Sequence, residues 1–197
     1  MILVCLGDSL TYGYGVPRPR VWPTLLGSMT GLDVRNAGIN GDTTSGMLAR
    51  FQTDVLAAQA DAVCLMGGFN DLALGAGPGA VRANLFALVQ QCFHARVRPI
   101  LGVPIAVRHP LTFPLLRSVN MDQACAAYED LHAWLRLLAA DFGLSCLDFA
   151  RYFAKHAAAA PDPAAALAAL YSDGLHPSEA GHSPMAQGEW LARLLRA

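Results

Sequence analysis

Lysine is almost absent from this 197-residue chain: Lys155 is the only one among 14 basic residues. A phosphate-gripping GxxxxGK loop is therefore excluded. The remaining basic residues are scattered arginines, and a formal net charge of −1 gives no footprint for nucleic acid. Charged residues are scarce at 15%, against 54% hydrophobic, which excludes a disordered chain and supplies a sizeable core. Long apolar runs are missing too. None approaches the roughly 18 residues of a membrane span, so no integral membrane segment is expected. The opening "MILVCLGDS" has no basic lead and no small-residue cleavage site, so it does not read as a signal peptide. The expectation is a chain starting near Met1 and staying in the cytoplasm. Five cysteines, Cys5, Cys64, Cys92, Cys125 and Cys146, include no CxxC pair. Odd in number, dispersed and set in apolar stretches, they read as reduced core thiols. No cluster of histidines and carboxylates suggests a metal, and no cofactor is expected.

What is present is an alternation of short apolar strands and longer helical patterns. Strands are expected at Ile2–Leu6, Asp33–Asn36, Asp61–Gly67, Arg98–Pro104 and Leu144–Phe149. Their unbroken apolar runs suit strands covered on both faces. In "TSGMLARFQTDVL", Met47, Phe51 and Val55 recur at four-residue steps as one apolar stripe, with Asp42 or Thr43 as N-cap. Val81–His94 and Met121–Phe142 are longer helices, and Glu189–Arg196 closes the chain, with Ser183 and Pro184 as its expected cap and first position. The alanine-rich 154–170 segment reads as a surface helix broken by Pro161 and Pro163. The alternation predicts one domain, residues 1–197, with an α/β fold: a three-layer α/β/α sandwich around a central, mainly parallel five-stranded sheet. Ligands then bind beyond the carboxyl ends of the strands. The polar punctuation gathers there: Gly7-Asp8-Ser9, Asn36 to Asp42, Gly67 to Asp71, and Pro104 onward. The apolar 104–120 loop, with Leu111, Phe113, Leu115 and Leu116, either walls a pocket or folds onto its own helix.

Ser9 follows the first strand directly, at a strand-to-helix turn where unpaired N–H groups favour negative charge. Taken alone it is more simply a turn or cap residue. A serine hydroxyl needs a base. His94 and His132 lie among polar neighbours and read as surface residues. His156 sits in the alanine-rich segment, His109 in the apolar loop, and His182 looks structural. His176 differs: it stands in "SDGLHPSE", three residues after Asp173. In a tight turn that spacing lets the carboxylate hold one imidazole nitrogen while the other points outward. Gly41, in "NAGINGDTT", puts a backbone N–H where an anion can approach, and Asn70, in "GGFND", offers a neutral side-chain donor. Each also has a plain turn-forming explanation.

Together these residues resemble a family. "GDSL" at Gly7–Leu10, "NGDT" at Asn40–Thr43, "GFND" at Gly68–Asp71 and "DGLH" at Asp173–His176 are similar to the ordered sequence blocks of the GDSL, or SGNH, hydrolases, in family order and across nearly the whole chain. The resemblance implies a flavodoxin-like fold, Ser9 as nucleophile, and Ser9, Gly41 and Asn70 as oxyanion-hole donors. His176 is implied as base and Asp173 as its orienter. The small lysophospholipase/thioesterase-like and arylesterase-like members are the nearest in length and in the closing "HPSEAGHSPMA". The GxSxG elbow is absent around Ser9. Phe69 occupies the variable position of the third block and is expected to narrow the pocket near the acyl carbon.

The implied function is hydrolysis of carboxylic esters or thioesters of small to medium acyl groups through an acyl-serine, with activity rising as the imidazole loses its proton. The partner is then a small-molecule ester or thioester and not nucleic acid; a homodimer stays open. The same residues would serve an acyltransferase or a carbohydrate acetylesterase, although Leu111–Leu116 suits a greasier substrate. A non-catalytic, flavodoxin-like anion-binding module is the remaining alternative. It is weakened by "GYGVPR", which lacks the third glycine of a dinucleotide fingerprint.

Overall fold

The computed structural model describes residues 1–108 and 120–187. Five strands, β1 (Ile2–Gly7), β2 (Asp33–Gly38), β3 (Ala62–Met66), β4 (Arg98–Val103) and β5 (Ser145–Asp148), form one sheet in the order β2-β1-β3-β4-β5. Every pairing is parallel, with Cys5 opposite Asn36 on one side and Cys64 on the other. All five expected strands are present, within two residues at their ends.

The helices are α1 (Ser9–Tyr12), α2 (Trp22–Thr30), α3 (Thr44–Phe51), α4 (Phe69–Ala73), α5 (Pro78–Ala95), α6 (Met121–Phe142), α7 (Phe149–Ala158), α8 (Pro163–Ala169) and α9 (Glu179–Ala186). They cover both faces of the sheet, and the twofold alternation of each strand divides the core between them. On one face Val4, Leu6, Val63, Leu65, Leu101 and Val103 pack with α3, α5 and α6, through side chains such as Met47, Phe51, Leu85 and Leu135. On the other, Leu3, Cys5, Cys64, Met66 and Ile100 meet Trp22, Leu26, Phe149, Phe153 and Met185. Each such side chain contributes about 1.5–3 kcal/mol by leaving water.

Several local expectations are corrected. Helix α2 is not legible in the sequence; Trp22 anchors it, its indole N–H donating to the Leu10 carbonyl at 3.1 Å. Thr43, not Asp42, caps α3, its hydroxyl accepting from the Gly46 amide. The apolar stripe then runs through Val55 in a π-helical turn at Gln52–Leu56. The alanine-rich segment is two helices. Asp162 caps the second, with Pro163 at its first position, and α7 buries Phe149, Phe153 and Ala157 against the sheet. Ser183 caps nothing: α9 starts at Glu179 under a Ser178 cap and carries Pro184 inside it. The expected 189–196 helix lies outside the described residues, as do His109 and Leu111–Leu116. No helix among the described residues is long and apolar enough to cross a membrane.

Candidate active site

The chain leaves β1 through a corner only glycine can make. A Cβ on Gly7 would overlap the Met66 carbonyl and the Thr11 hydroxyl. Asp8 then caps α1, its Oδ1 accepting from the Leu10 amide at 2.9 Å. Ser9 is therefore the first residue of a short helix, earlier than the sequence suggested, with its amide at the N-terminal end. Burial pushes the Asp8 carboxyl up to about 7. The Leu10 amide pulls the other way, while the Asp42 and Asp71 carboxylates add to the rise.

His176 comes from the far end of the sequence. Its turn is held by a bridge between Tyr171 and Pro177 and by the Ser172 amide donating to the His176 carbonyl at 2.9 Å. The Arg108 amide ties the turn to the end of β4 by donating to the Gly174 carbonyl at 2.7 Å. Inside the turn, Asp173 Oδ1 accepts from the Leu175 amide at 2.9 Å and the His176 amide at 2.8 Å. Its Oδ2 lies 2.7 Å from His176 Nδ1, and His176 Nε2 lies 3.0 Å from Ser9 Oγ. Burial alone would raise the Asp173 carboxyl. The hydrogen bonds from the His176 amide, the His176 ring and the Leu175 amide together outweigh it and hold the group below the ordinary carboxylate range. An ionised Oδ2 accepts a hydrogen bond from Nδ1–H, which keeps the proton on Nδ1 and leaves Nε2 as the lone-pair nitrogen facing the serine. Tyr14 covers the imidazole, ring centroids 4.6 Å apart.

Gly41 and Asn70 face the same space. Gly41 adopts φ +77°, a left-handed conformation that few side chains accept. Asn70, in the first turn of α4, donates from Nδ2 to the Asp42 carbonyl at 2.8 Å, so its amide is tied to the Gly41 loop. Asp71 beside it is buried and accepts from the Thr44 amide and hydroxyl, fastening α4 to the start of α3. Ser9, Gly41, Asn70 and His176 open onto one cavity of about 840 Å³. Its further walls are Leu72, Leu74, Ala124, Ala127 and the 75–78 turn, a mostly apolar trough between α4 and α6.

All five residues singled out in the sequence thus converge. Phe69 does not line this cavity. It is buried edge-on against Tyr128, centroids 5.1 Å apart, because the first turn of α4 points it into the core. His132 is buried as well, its ring tilted against that of Tyr128 with centroids 4.5 Å apart, and burial lowers it to about 4; its polar neighbours Glu129 and Asp130 are the exposed ones. His94 and His156 are exposed, as expected. His182 is buried, its Nδ1 accepting from the Trp22 amide at 3.2 Å. No group of His, Cys, Asp and Glu among the described residues is arranged to hold a metal.

The sequence model of the GDSL-like Lipase/Acylhydrolase family matches residues 5–183. An arylesterase of Vibrio mimicus is 37% identical over 92 residues, 44% of this chain and 46% of the relative. The Escherichia coli K12 protein named thioesterase 1/protease 1/lysophospholipase L1 is 28% identical over 196 residues, 98% of this chain and 83% of the relative. The match to the arylesterase therefore spans about half of that relative's length. A crystal structure of a lipolytic G-D-S-L family member from Veillonella parvula superposes with a TM-score of 0.80 at 22% identity, covering 100% of both chains.

Proposed function

The chain belongs to the GDSL-like lipase/acylhydrolase family, and from that premise we propose that it is a serine esterase. It hydrolyses carboxylic esters or thioesters of small to medium acyl groups, with Ser9, His176 and Asp173 as its catalytic triad. The observation carrying this reading is the unbroken relay from Asp173 Oδ2 to His176 Nδ1 at 2.7 Å and from His176 Nε2 to Ser9 Oγ at 3.0 Å, opening onto an apolar trough.

His176 takes the Ser9 proton as Oγ bonds to the substrate carbonyl carbon. The carbonyl π electrons move to oxygen, where the amides of Ser9 and Gly41 and the Asn70 side chain receive the charge. Collapse expels the alcohol or thiol, to which His176 returns the proton. Water then attacks the acyl-serine by the same steps, releasing the acid and restoring the Ser9 hydroxyl. Asp173 steadies the imidazolium without taking its proton. The trough of Leu72, Leu74, Ala124 and Ala127 suits an acyl chain of several carbons. The names of the arylesterase and thioesterase relatives support both oxygen and sulfur leaving groups. Cys5, Cys64 and Cys92 are buried, Cys64 and Cys92 each raised to about 12 by burial, while Cys125 and Cys146 are only half-buried; the three core thiols support a reducing, cytoplasmic setting.

The test is a chain-length series of p-nitrophenyl esters beside acyl-CoA thioesters, with Ser9→Ala as blank. Turnover that peaks at short or medium chains and vanishes in Ser9→Ala supports the reading. Ser9→Ala retaining more than a small fraction of turnover overturns it.

A further inference from the structure

The guanidinium of Arg50, in the last turn of α3, lies beneath the loops that carry Ser9, Gly41 and Asn70. Four of its five N–H donors are hydrogen-bonded, to two carboxylates and two backbone carbonyls. Nε donates to Asp42 Oδ2 at 2.8 Å, and Nη2 pairs with the same carboxylate at 2.8 Å. Nη2 donates its hydrogen bond to the Gly7 carbonyl at 2.9 Å. Nη1 donates to the Ala37 carbonyl at 2.7 Å and to Asp54. The side chain is 14% exposed and that of Asp42 is 11% exposed, so both charges are largely withdrawn from bulk water. Asp54 comes from the π-helical turn that follows α3, one turn beyond Arg50.

These acceptors lie where the geometry around Ser9 is set. Gly7 is the corner before Asp8 and Ser9, and its carbonyl also accepts from the Ile39 amide at 3.0 Å. Ala37 is the penultimate residue of β2, and Asp42 follows Gly41 directly. The Asp42 carbonyl is the acceptor that holds Asn70 Nδ2. One planar cation therefore fixes the ends of two strands and, through Asp42, the loop and the amide beside Ser9. Lysine, with three donors at one point, cannot span carbonyls on two strands and a carboxylate together.

We infer that Arg50 is a positioning residue for acyl transfer. It acts through Asp42 and the Gly7 carbonyl to hold the Ser9, Gly41 and Asn70 donors at the spacing that an oxyanion requires. This rests on the esterase reading above. Donors that are present but misplaced bind a ground-state carbonyl nearly as well and the charged intermediate much less well, so the loss appears in kcat.

The experiment compares Arg50→Met, Arg50→Lys, Asn70→Ala and the double variants on p-nitrophenyl butyrate, with Ser9→Ala as blank and circular dichroism melts recording that each is folded. Expected is a kcat loss of about 10² for Arg50→Met and at least tenfold for Arg50→Lys, with KM within about threefold. The acid limb of the kcat–pH profile should not move, because the His176–Asp173 pair is untouched. In the Asn70→Ala background the Arg50 change should cost much less than in the parent, since both act on one constellation. Arg50→Lys keeps the test open if Arg50→Met does not fold. Arg50→Lys with kcat within threefold of the parent overturns the inference, as does a loss confined to KM or a full multiplicative loss with Asn70→Ala. An active Ser9→Ala instead overturns the esterase reading itself.

Discussion

Replacing Asp173 by asparagine tests the site with the least disturbance to the fold. Asp173 Oδ1 accepts the Leu175 and His176 amides, and the amide oxygen of the introduced asparagine can accept both. The turn is kept, with two charge-assisted bonds becoming neutral ones, a stability cost of about 1–3 kcal/mol. The other oxygen, 2.7 Å from His176 Nδ1, becomes an NH₂ group that can only donate. Nδ1 must then be the lone-pair nitrogen, and the proton moves to Nε2, 3.0 Å from Ser9 Oγ. A nitrogen that already carries hydrogen cannot take the serine proton. A wrong tautomer of this kind lowers kcat by about 10⁴, or about 5.5 kcal/mol at 1.36 kcal/mol per tenfold. The assay is kcat and KM on p-nitrophenyl butyrate, with a thermal melt on the same preparation. The expected result is a melt lowered by about 2–12 °C, with KM little changed and kcat reduced by about 10³–10⁴. Asp173→Asn retaining a tenth of parental kcat would refute the tautomer argument and remove Asp173 from the triad.

Asp8 sets a pH signature in stability. Its carboxyl rises from 3.8 to about 7 on folding, chiefly by burial. Because the native state holds the proton more tightly, stability is greatest below the unfolded value and is lost as pH climbs towards 7, by up to about 4 kcal/mol. Asp8→Asn keeps an acceptor for the Leu10 amide without titrating, so its melting temperature should gain on the parent from pH 5 to pH 8; parallel curves would contradict this. His132 and His182 act in the opposite sense. Burial lowers each from 6.5 to about 4, so both cost stability as pH falls below 6.5 in parent and variant alike, and the difference between the two proteins isolates Asp8. Phe69→Ala should cost about 3–5 kcal/mol by emptying the space against Tyr128, with KM for a short ester unchanged. A lowered melt midpoint together with an altered acyl-chain preference would instead place Phe69 at the substrate.

The strands and the residues around Ser9 are legible in the sequence because local rules carry them. Buried parallel strands are apolar on both faces, and the DxxH turn makes its hydrogen bonds within four residues. Helix α2 escapes such a reading because Val21 offers no side-chain cap and its buried positions reduce to Trp22, Pro23 and Leu26. What holds it are partners outside the helix, the Leu10 carbonyl and the distant His182 ring. Arg50 escapes for a similar reason. One of its partners, the Gly7 carbonyl, lies 43 positions away, and a backbone oxygen leaves no mark on residue type. His132 and Phe69 are misplaced by sequence because burial follows which side of a helix meets the sheet, which neighbours along the chain do not reveal.

The contact between Ser9 and His176 joins positions 167 residues apart. On the proposed roles, Ser9 leaves the ribosome early and has no base until the 171–177 turn has been made and has docked against Arg108. On the same reading, a chain made only as far as β5, however well its strands are paired, is chemically inert towards acyl compounds around it. Turnover would then report that Ser9 and His176 have met, and hydrolysis of a chromogenic ester could count molecules that have reached that point during translation or refolding.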